Sequence, residues 1–217
     1  MRADTTIGVI DALDNGRQSG IGPGAIVLTA DGELPVEWLS PGDMVVTRDN
    51  GAQPVLAIVR QRGLTTRGTI LPDPVVLFPG DCITSVKPWE KLRLAPGHRL
   101  LLRTALVRQT FGFDEVLARP GDLTRRRAPR PDPSMGPLTY FHLIMQRHEL
   151  IMAGGLWLES TCPAMVRRLG KDVPPVAAQG LLAGPQKAVR PSLSTHQANL
   201  LRQSMPADLS LTDLFAA

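Results

Sequence analysis

The sequence is poor in the features that define several large classes of protein. Cysteine occurs twice, at Cys82 and Cys162, so the chain can form at most one disulfide bond and is not a disulfide scaffold. No apolar run approaches the roughly eighteen residues that indicate a membrane-spanning helix. The start of the chain, Met1 to Asp4, lacks the basic and apolar regions of a secretory signal. We therefore predict a cytoplasmic protein that does not contact a membrane, with non-classical secretion left open.

An excess of charge is also lacking. The chain has 24 Lys and Arg against 20 Asp and Glu, a formal net charge of +4, and this balance does not indicate nucleic-acid binding. Basic residues concentrate at Arg125, Arg126, Arg127 and Arg130, and no aromatic residue lies among them to stack on single-stranded bases. We interpret this cluster as a solvated loop. A basic adaptor for an acidic partner is the alternative.

Glycine and proline, by contrast, are abundant, with 20 of each. They divide the chain into short β-type runs, with tight turns predicted at 31–32 and 50–51. Helical periodicity is limited to 104–117 and to about 194–203. The strands are predicted at residues 25–29, 34–39, 44–47, 55–62, 75–78, 91–94, 99–102, 140–145, 148–152 and 156–158. The pattern predicts a mostly-β fold of curved β-hairpins with a short helix and flexible termini.

Three ordered blocks of sequence carry a resemblance to a known family. Residues 22–47 read GPGAIVLTADGELPVEWLSPGDMVVT, residues 94–102 read LAPGHRLLL, and residues 140–160 begin YFHL and end HELIMAGGLWLES. They resemble the opening hairpins, the histidine block and the closing strands of Hint domains, the self-processing modules of hedgehog C-terminal regions and inteins.

The resemblance is closest to bacterial Hint-domain proteins and implies three segments. A lead-in segment covers residues 1–19, and the Hint-like β domain covers residues 20–165. A Pro- and Ala-rich C-terminal tail covers residues 166–217.

The family's reaction, as the resemblance implies it, needs a nucleophile and a proton donor. A thiol or hydroxyl at the first residue of the domain attacks the preceding carbonyl, and a histidine protonates the departing nitrogen. The histidine corresponds to His98. The nucleophile's position is Gly20, and the position of a frequent threonine is Ala95, so both positions mark lost side chains. Splicing members end in His-Asn, whereas this chain has Leu158-Glu159 before Ser160, and glutamate does not cyclise readily.

These departures predict that autoprocessing is lost and that the chain is not an enzyme. It would then persist as an inactive scaffold or as a binding module for a protein partner, whose identity and oligomeric state the sequence does not give. Ser19 leaves a second interpretation open, because a shift of one residue would present its hydroxyl to the Gln18 carbonyl with His98 as proton donor. That reaction would cleave the Gln18–Ser19 bond. A solvated serine in the lead-in segment is the simpler interpretation.

The remaining histidines and the cysteines give weaker signals. His98 can also be interpreted as a turn residue that binds backbone groups. His142 is interpreted as a surface or cross-strand residue, and His148 as a residue that makes a structural hydrogen bond. Cys82 and Cys162 are interpreted as small apolar residues. No pair shows the spacing of structural zinc ligands, about two to four residues, and no nucleotide-binding motif is present. We predict neither a metal nor a cofactor.

Overall fold

The computed structural model describes residues 18–62, 92–123, 138–183 and 188–205, and the backbone of three short strands between residues 65 and 77. Its strands are β1 Ile26–Thr29, β2 Gly32–Pro35, β3 Met44–Thr47, β4 Gly51–Arg62, β5 Thr65–Thr66, β6 Thr69–Ile70, β7 Val75–Leu77, β8 Leu92–Leu94, β9 Leu100–Leu102, β10 Val116–Ala118, β11 Thr139–Met145, β12 Leu150–Ala153 and β13 Leu156–Glu159. Its helices are α1 Ala105–Phe111, α2 Pro120–Leu123, α3 Pro163–Leu169, α4 Pro175–Ala183 and α5 Thr195–Ser204, with a 3-10 turn at Gly170–Asp172. The predicted mostly-β fold is confirmed.

Antiparallel pairing joins most of these strands into one sheet of nine strands. The strand order is β10-β9-β13-β12-β1-β3-β4-β11, and β2 pairs with β1. The closing strand β12 therefore lies beside the opening strands β1 and β3, although more than a hundred residues of sequence separate them. Strand β11 pairs with β4 along its whole length, from Thr139 opposite Arg62 to Met145 opposite Val55.

Both predicted hairpin turns are present. Thr29 lies opposite Gly32, and its hydroxyl donates a hydrogen bond of 2.6 Å to the Gly32 carbonyl. Gly32 and Gly51 have φ of 120° and 66°, values that residues with a Cβ atom rarely adopt. Strand β2 ends at Pro35 rather than at residue 39, because the Pro35 carbonyl accepts from the Trp38 N–H in a turn.

The predicted helix at 104–117 is shorter in the structure. Thr104 caps the first turn, because its hydroxyl accepts from the Val107 N–H at 3.2 Å. Gly112 ends the helix in the left-handed region at φ 74°, and its N–H donates to the Arg108 carbonyl. The chain then enters β10, so one predicted element becomes a helix and a strand.

Helices beyond residue 165 pack on the strands. Helix α5 lies where the sequence predicts it, with Ser194 and Gln197 forming a capping box, whereas α3 and α4 are not predicted. Helix α4 covers a face of β4 and β11, where it buries Leu181 against the apolar cluster of Ala57, Val59 and Ile144. The packing therefore continues past the predicted start of the tail. The termini predicted to be flexible lie outside the described residues at 1–17 and 206–217.

Strand β11 is covered on both faces. Phe141 and Leu143 belong to the larger core cluster, and Ile144 belongs to the cluster under α3 and α4. Every residue from 140 to 145 is consequently buried. This places His142 inside the protein, 3% exposed, so its prediction as a surface residue is wrong and its cross-strand position opposite Val59 is confirmed.

Candidate functional site

Residues 18–22 lie between two parts of the fold, residues 93–97 and strand β11. On one side, backbone hydrogen bonds run from the Gly97 N–H to the Gln18 carbonyl (2.8 Å), from the Ala95 N–H to the Gly20 carbonyl (3.0 Å) and from the Gly22 N–H to the Arg93 carbonyl (2.7 Å). On the other side, Ile21 and Phe141 exchange hydrogen bonds of 3.0 and 2.8 Å. The peptide bond between Gln18 and Ser19 is thus held at a fixed place beside the histidine block.

His98 meets this segment through one ring nitrogen. Its Nδ1 lies 3.1 Å from the Ser19 Oγ and 3.3 Å from the Gly20 nitrogen. Because a backbone N–H only donates, Nδ1 must accept and carries no hydrogen in the neutral ring. The Ser19 hydroxyl therefore donates to the same nitrogen, and the ring hydrogen is on Nε2. A hydroxyl and an unprotonated imidazole nitrogen are in hydrogen-bond contact, as a nucleophile and its base would be.

Burial keeps His98 in its neutral form. The side chain lies inside the protein, and burial lowers the pKa of His98 to about 4, although the Glu159 carboxylate acts in the opposite direction. At neutral pH the ring is therefore unprotonated, and its Nδ1 can accept the hydrogen bond from Ser19. A protonated histidine could not do so.

The carbonyl of Gln18 has a backbone donor of its own. The Gly97 N–H lies 2.8 Å from that oxygen, within the range at which a donor stabilises a developing oxyanion. The turn at Pro96-Gly97 places this donor, and the same turn holds the His98 N–H on the Ala95 carbonyl at 2.9 Å. The sequence does not single out Gly97 as this donor, since any residue's N–H could serve.

Gly20 has a backbone that disfavours any side chain. Its φ is 131°, and a Cβ at this position would lie 2.8 Å from the Tyr140 Cβ and 3.4 Å from the His142 ring. A cysteine at position 20 would thus need the neighbouring strand to shift. Position 20 supplies an amide that donates to His98, and Ser19 supplies the hydroxyl.

Ala95 has no hydroxyl to offer, and its contribution comes through the backbone. Its side chain is 1% exposed. Its N–H holds the Gly20 carbonyl and its carbonyl holds the His98 N–H. Ala95 therefore connects the two halves of the site.

A buried ionic cluster of Glu159, Arg99 and His148 lies close enough to His98 to act on its charge. The Glu159 carboxylate contacts the Arg99 Nη1 at 3.4 Å and the His148 Nε2 at 3.3 Å. The His148 Nδ1 accepts from the Val189 N–H, so the predicted structural hydrogen bond is present and Nε2 carries the hydrogen in the neutral ring. Burial raises the pKa of Glu159, but Arg99 and His148 lower it more, and the net pKa lies below its usual range. Glu159 is therefore ionised.

Comparison with known proteins identifies the family of the chain. The sequence profile of the Hint domain family matches residues 21–165, which are 145 of the 217 residues. The chain belongs to the Hint domain family. The resemblance drawn from the three sequence blocks is confirmed, and the protein is a module of the intein and hedgehog type. No curated protein matches the chain.

The other candidate residues of this Hint domain are Cys162 and residues outside the described part. Burial, reinforced by the Glu159 charge, raises the pKa of Cys162 to about 11, so its thiol stays protonated and unreactive. Cys82 and the cluster at 125–130 are outside the described residues. Within the described ranges, no three His, Cys, Asp or Glu side chains are grouped to hold a metal ion. None of the helices in those ranges is both long and apolar enough to span a membrane.

Proposed function

We propose that this Hint domain catalyses an N-to-O acyl shift at the Gln18–Ser19 bond and does not splice. The observation that carries the proposal is the contact of 3.1 Å between the Ser19 Oγ and the His98 Nδ1. Of the interpretations that the sequence leaves open, self-cleavage with Ser19 and His98 is the one that this contact favours. A solvated serine would not need a buried, neutral histidine as its partner.

The reaction uses three groups around one peptide bond. The Ser19 Oγ passes its proton to the His98 Nδ1 and attacks the Gln18 carbonyl carbon, and the Gly97 N–H stabilises the oxyanion. The bond between that carbon and the Ser19 nitrogen then breaks as Nδ1 returns the proton to the nitrogen. The product is an ester between Gln18 and the Ser19 side chain, with a free amine on Ser19. Water or another nucleophile then releases residues 1–18.

The second half of a splicing reaction lacks its nucleophile. Where splicing members have asparagine, Glu159 presents a carboxylate without an amide nitrogen, and it is held between Arg99 and His148. No side-chain nitrogen can attack the backbone carbonyl at this position. The expected outcome of the reaction is cleavage before Ser19, without ligation.

An inactive scaffold that binds a protein partner is the second candidate function. Gly20 and Ala95 favour it, because neither supplies the side chain that family members use at these positions. A basic adaptor for an acidic partner would depend on Arg125 to Arg130 and stays a prediction. Neither alternative involves an ester at Ser19, so the presence of that ester distinguishes the proposed function from both.

Hydroxylamine trapping tests the proposal, because hydroxylamine cleaves esters under conditions that leave most amides intact. The unmodified chain and Ser19→Ala are compared, with Ser40→Ala, an exposed serine between β2 and β3, as the matched control. We expect release of residues 1–18 from the unmodified chain and from Ser40→Ala, and none from Ser19→Ala. Ser19→Cys should form a thioester that added thiol cleaves.

The mass of the released peptide excludes an artefact. Hydroxylamine also cleaves Asn-Gly bonds, and Asn15-Gly16 lies three residues before Gln18. A peptide that ends at Asn15, or release that Ser19→Ala does not reduce, would contradict the proposal. So would a folded unmodified chain that releases nothing.

A further inference from the structure

The side chain of Gln18, the residue before the proposed nucleophile, is enclosed by the protein. Gln18 is 7% exposed. Its Nε2 lies 3.4 Å from the Gln61 Oε1 and 3.4 Å from the Arg62 carbonyl oxygen, both at the end of β4. The two hydrogens of one carboxamide nitrogen thus have two separate acceptors.

The backbone acceptor fixes the direction of these hydrogen bonds. A backbone carbonyl only accepts, so the atom of Gln18 that faces Arg62 is its NH2 group and not its oxygen. Gln61 must then present its oxygen to the same NH2 group. The His142 Nε2, which lies 3.3 Å from that oxygen, is consequently a donor. His142 thereby orients Gln61 with its acceptor toward Gln18.

We infer that Gln61 and the Arg62 carbonyl form a subsite selective for glutamine at the position before the nucleophile. His142 acts as a positioning residue through Gln61. The inference rests on the proposed acyl shift, since the subsite holds the acyl half of the bond that breaks. It adds a substrate class to that reaction, namely a peptide bond preceded by a side chain with a primary carboxamide of glutamine length.

The chemistry of the subsite excludes close analogues of glutamine. A glutamate at position 18 would direct carboxylate oxygens at two acceptors and leave a buried charge without a donor. A methionine has a similar length but no N–H. An asparagine is one methylene shorter and does not reach both acceptors. We expect each change to weaken the hold on the side chain at position 18 and so to displace the carbonyl of that residue from the Gly97 N–H.

A double-mutant cycle on the full chain tests the subsite. Gln18→Met is made in the unmodified chain and in the Gln61→Leu, Gln61→Glu and Gln53→Leu backgrounds. Each background is also made alone, and the release of residues 1–18 by hydroxylamine is timed for every variant. Gln53→Leu, a glutamine earlier on the same strand whose amide donates to the Asn50 carbonyl, is the matched control. Thermal unfolding of each variant establishes that it is folded.

We expect Gln18→Met to slow release roughly tenfold when Gln61 is present. The effect should be clearly smaller in the Gln61→Leu background, because one of the two acceptors is already gone and only the Arg62 carbonyl remains. Gln61→Glu keeps an acceptor for both Gln18 and His142 and should retain the preference for glutamine, as should Gln53→Leu. The inference would be overturned if Gln18→Met slowed release equally with Gln61 in place and in the Gln61→Leu background. It would also be overturned if Gln18→Met slowed release in neither.

Failure of the acyl shift itself would be recognised separately. If neither the unmodified chain nor Ser19→Cys releases residues 1–18, the proposed function fails, and the same cycle is read from thermal unfolding. Non-additive losses of stability for Gln18→Met and Gln61→Leu would still support a subsite that holds the glutamine side chain. Additive losses of stability would overturn the proposed subsite as well.

Discussion

His98 is the residue on which the proposed chemistry depends, and its environment predicts an unusual pH dependence. Because burial lowers its pKa to about 4, the ring stays unprotonated well below the pH at which an ordinary histidine takes up a proton. We expect the rate of ester formation to be nearly constant from pH 7 to 5 and to fall as the pH approaches 4. Reactions are incubated at each pH, quenched by denaturation and treated with hydroxylamine at one common pH. A midpoint near 6.5 would contradict the buried, neutral ring.

The same burial makes stability depend on pH. His98 and His142 both have their pKa lowered to about 4, mainly by burial, from the ordinary histidine value of 6.5. Between these values the unfolded chain binds more protons than the folded one, so stability is full above pH 6.5 and is lost as the pH falls toward 4. The loss corresponds to about 3 kcal/mol for each histidine.

Denaturant unfolding at pH 7, 5.5 and 4.5 measures this loss. His98→Asn should reduce the difference between pH 7 and 4.5, whereas His196→Asn, an exposed histidine on α5, should leave it unchanged. Equal pH dependence in the two variants would show that His98 does not titrate as its burial requires. Glu159, whose pKa is lowered, contributes a loss only at more acidic pH.

Among the elements, those fixed by local chemistry could be predicted from the sequence. Gly32 and Gly51 determine the turns of two hairpins, and the capping pair Ser194 and Gln197 marks the start of α5. In the sequence, Gly112 is a signal for the end of α1, but the apolar residues beyond it favour a longer helix. A glycine in the left-handed region decides between these two signals.

Elements and contacts that depend on distant partners could not be predicted. Whether β11 has a solvent face depends on α3 and α4, which begin at Pro163 and Pro175 and carry no strong helical periodicity. The sequence therefore predicts His142 as a surface or cross-strand residue and does not show that it is buried. For the site, His98 and Ser19 could be found from motif and order, whereas the acceptor on Gln61 depends on the pairing of β4 with β11.

The packing of α4 on the sheet gives a direct test of the C-terminal helices as part of the domain. Leu181 is 3% exposed, whereas Val176 on the same helix is 82% exposed. We expect Leu181→Ala to reduce the free energy of unfolding by about 3 kcal/mol and Val176→Ala to change it by less than about 0.5 kcal/mol. Denaturant unfolding measures both. A negligible cost for Leu181→Ala would mean that α4 is not packed on the sheet.

At the scale of the whole molecule, the site exists only when remote parts of the chain meet. The Gln18–Ser19 bond is placed by the turn at 95–98, by β11 and by the end of β4. The C-terminal segment is likewise joined to distant parts of the chain. Arg190 binds Asp49 through two hydrogen bonds and Glu115 through a third, and Leu117 pairs with the backbone at Pro191 and Leu193. The segment at 18–22 and residues close to the other end of the described chain thus belong to one packed fold.

The intact mass of the full chain after hydroxylamine treatment tests this account most directly. We predict that the chain of 23.5 kDa loses about 2 kDa, as expected for eighteen of its 217 residues, and begins at Ser19. The released peptide should end in a hydroxamate on Gln18. A folded chain whose mass stays at 23.5 kDa would contradict the acyl shift and would favour the inactive scaffold.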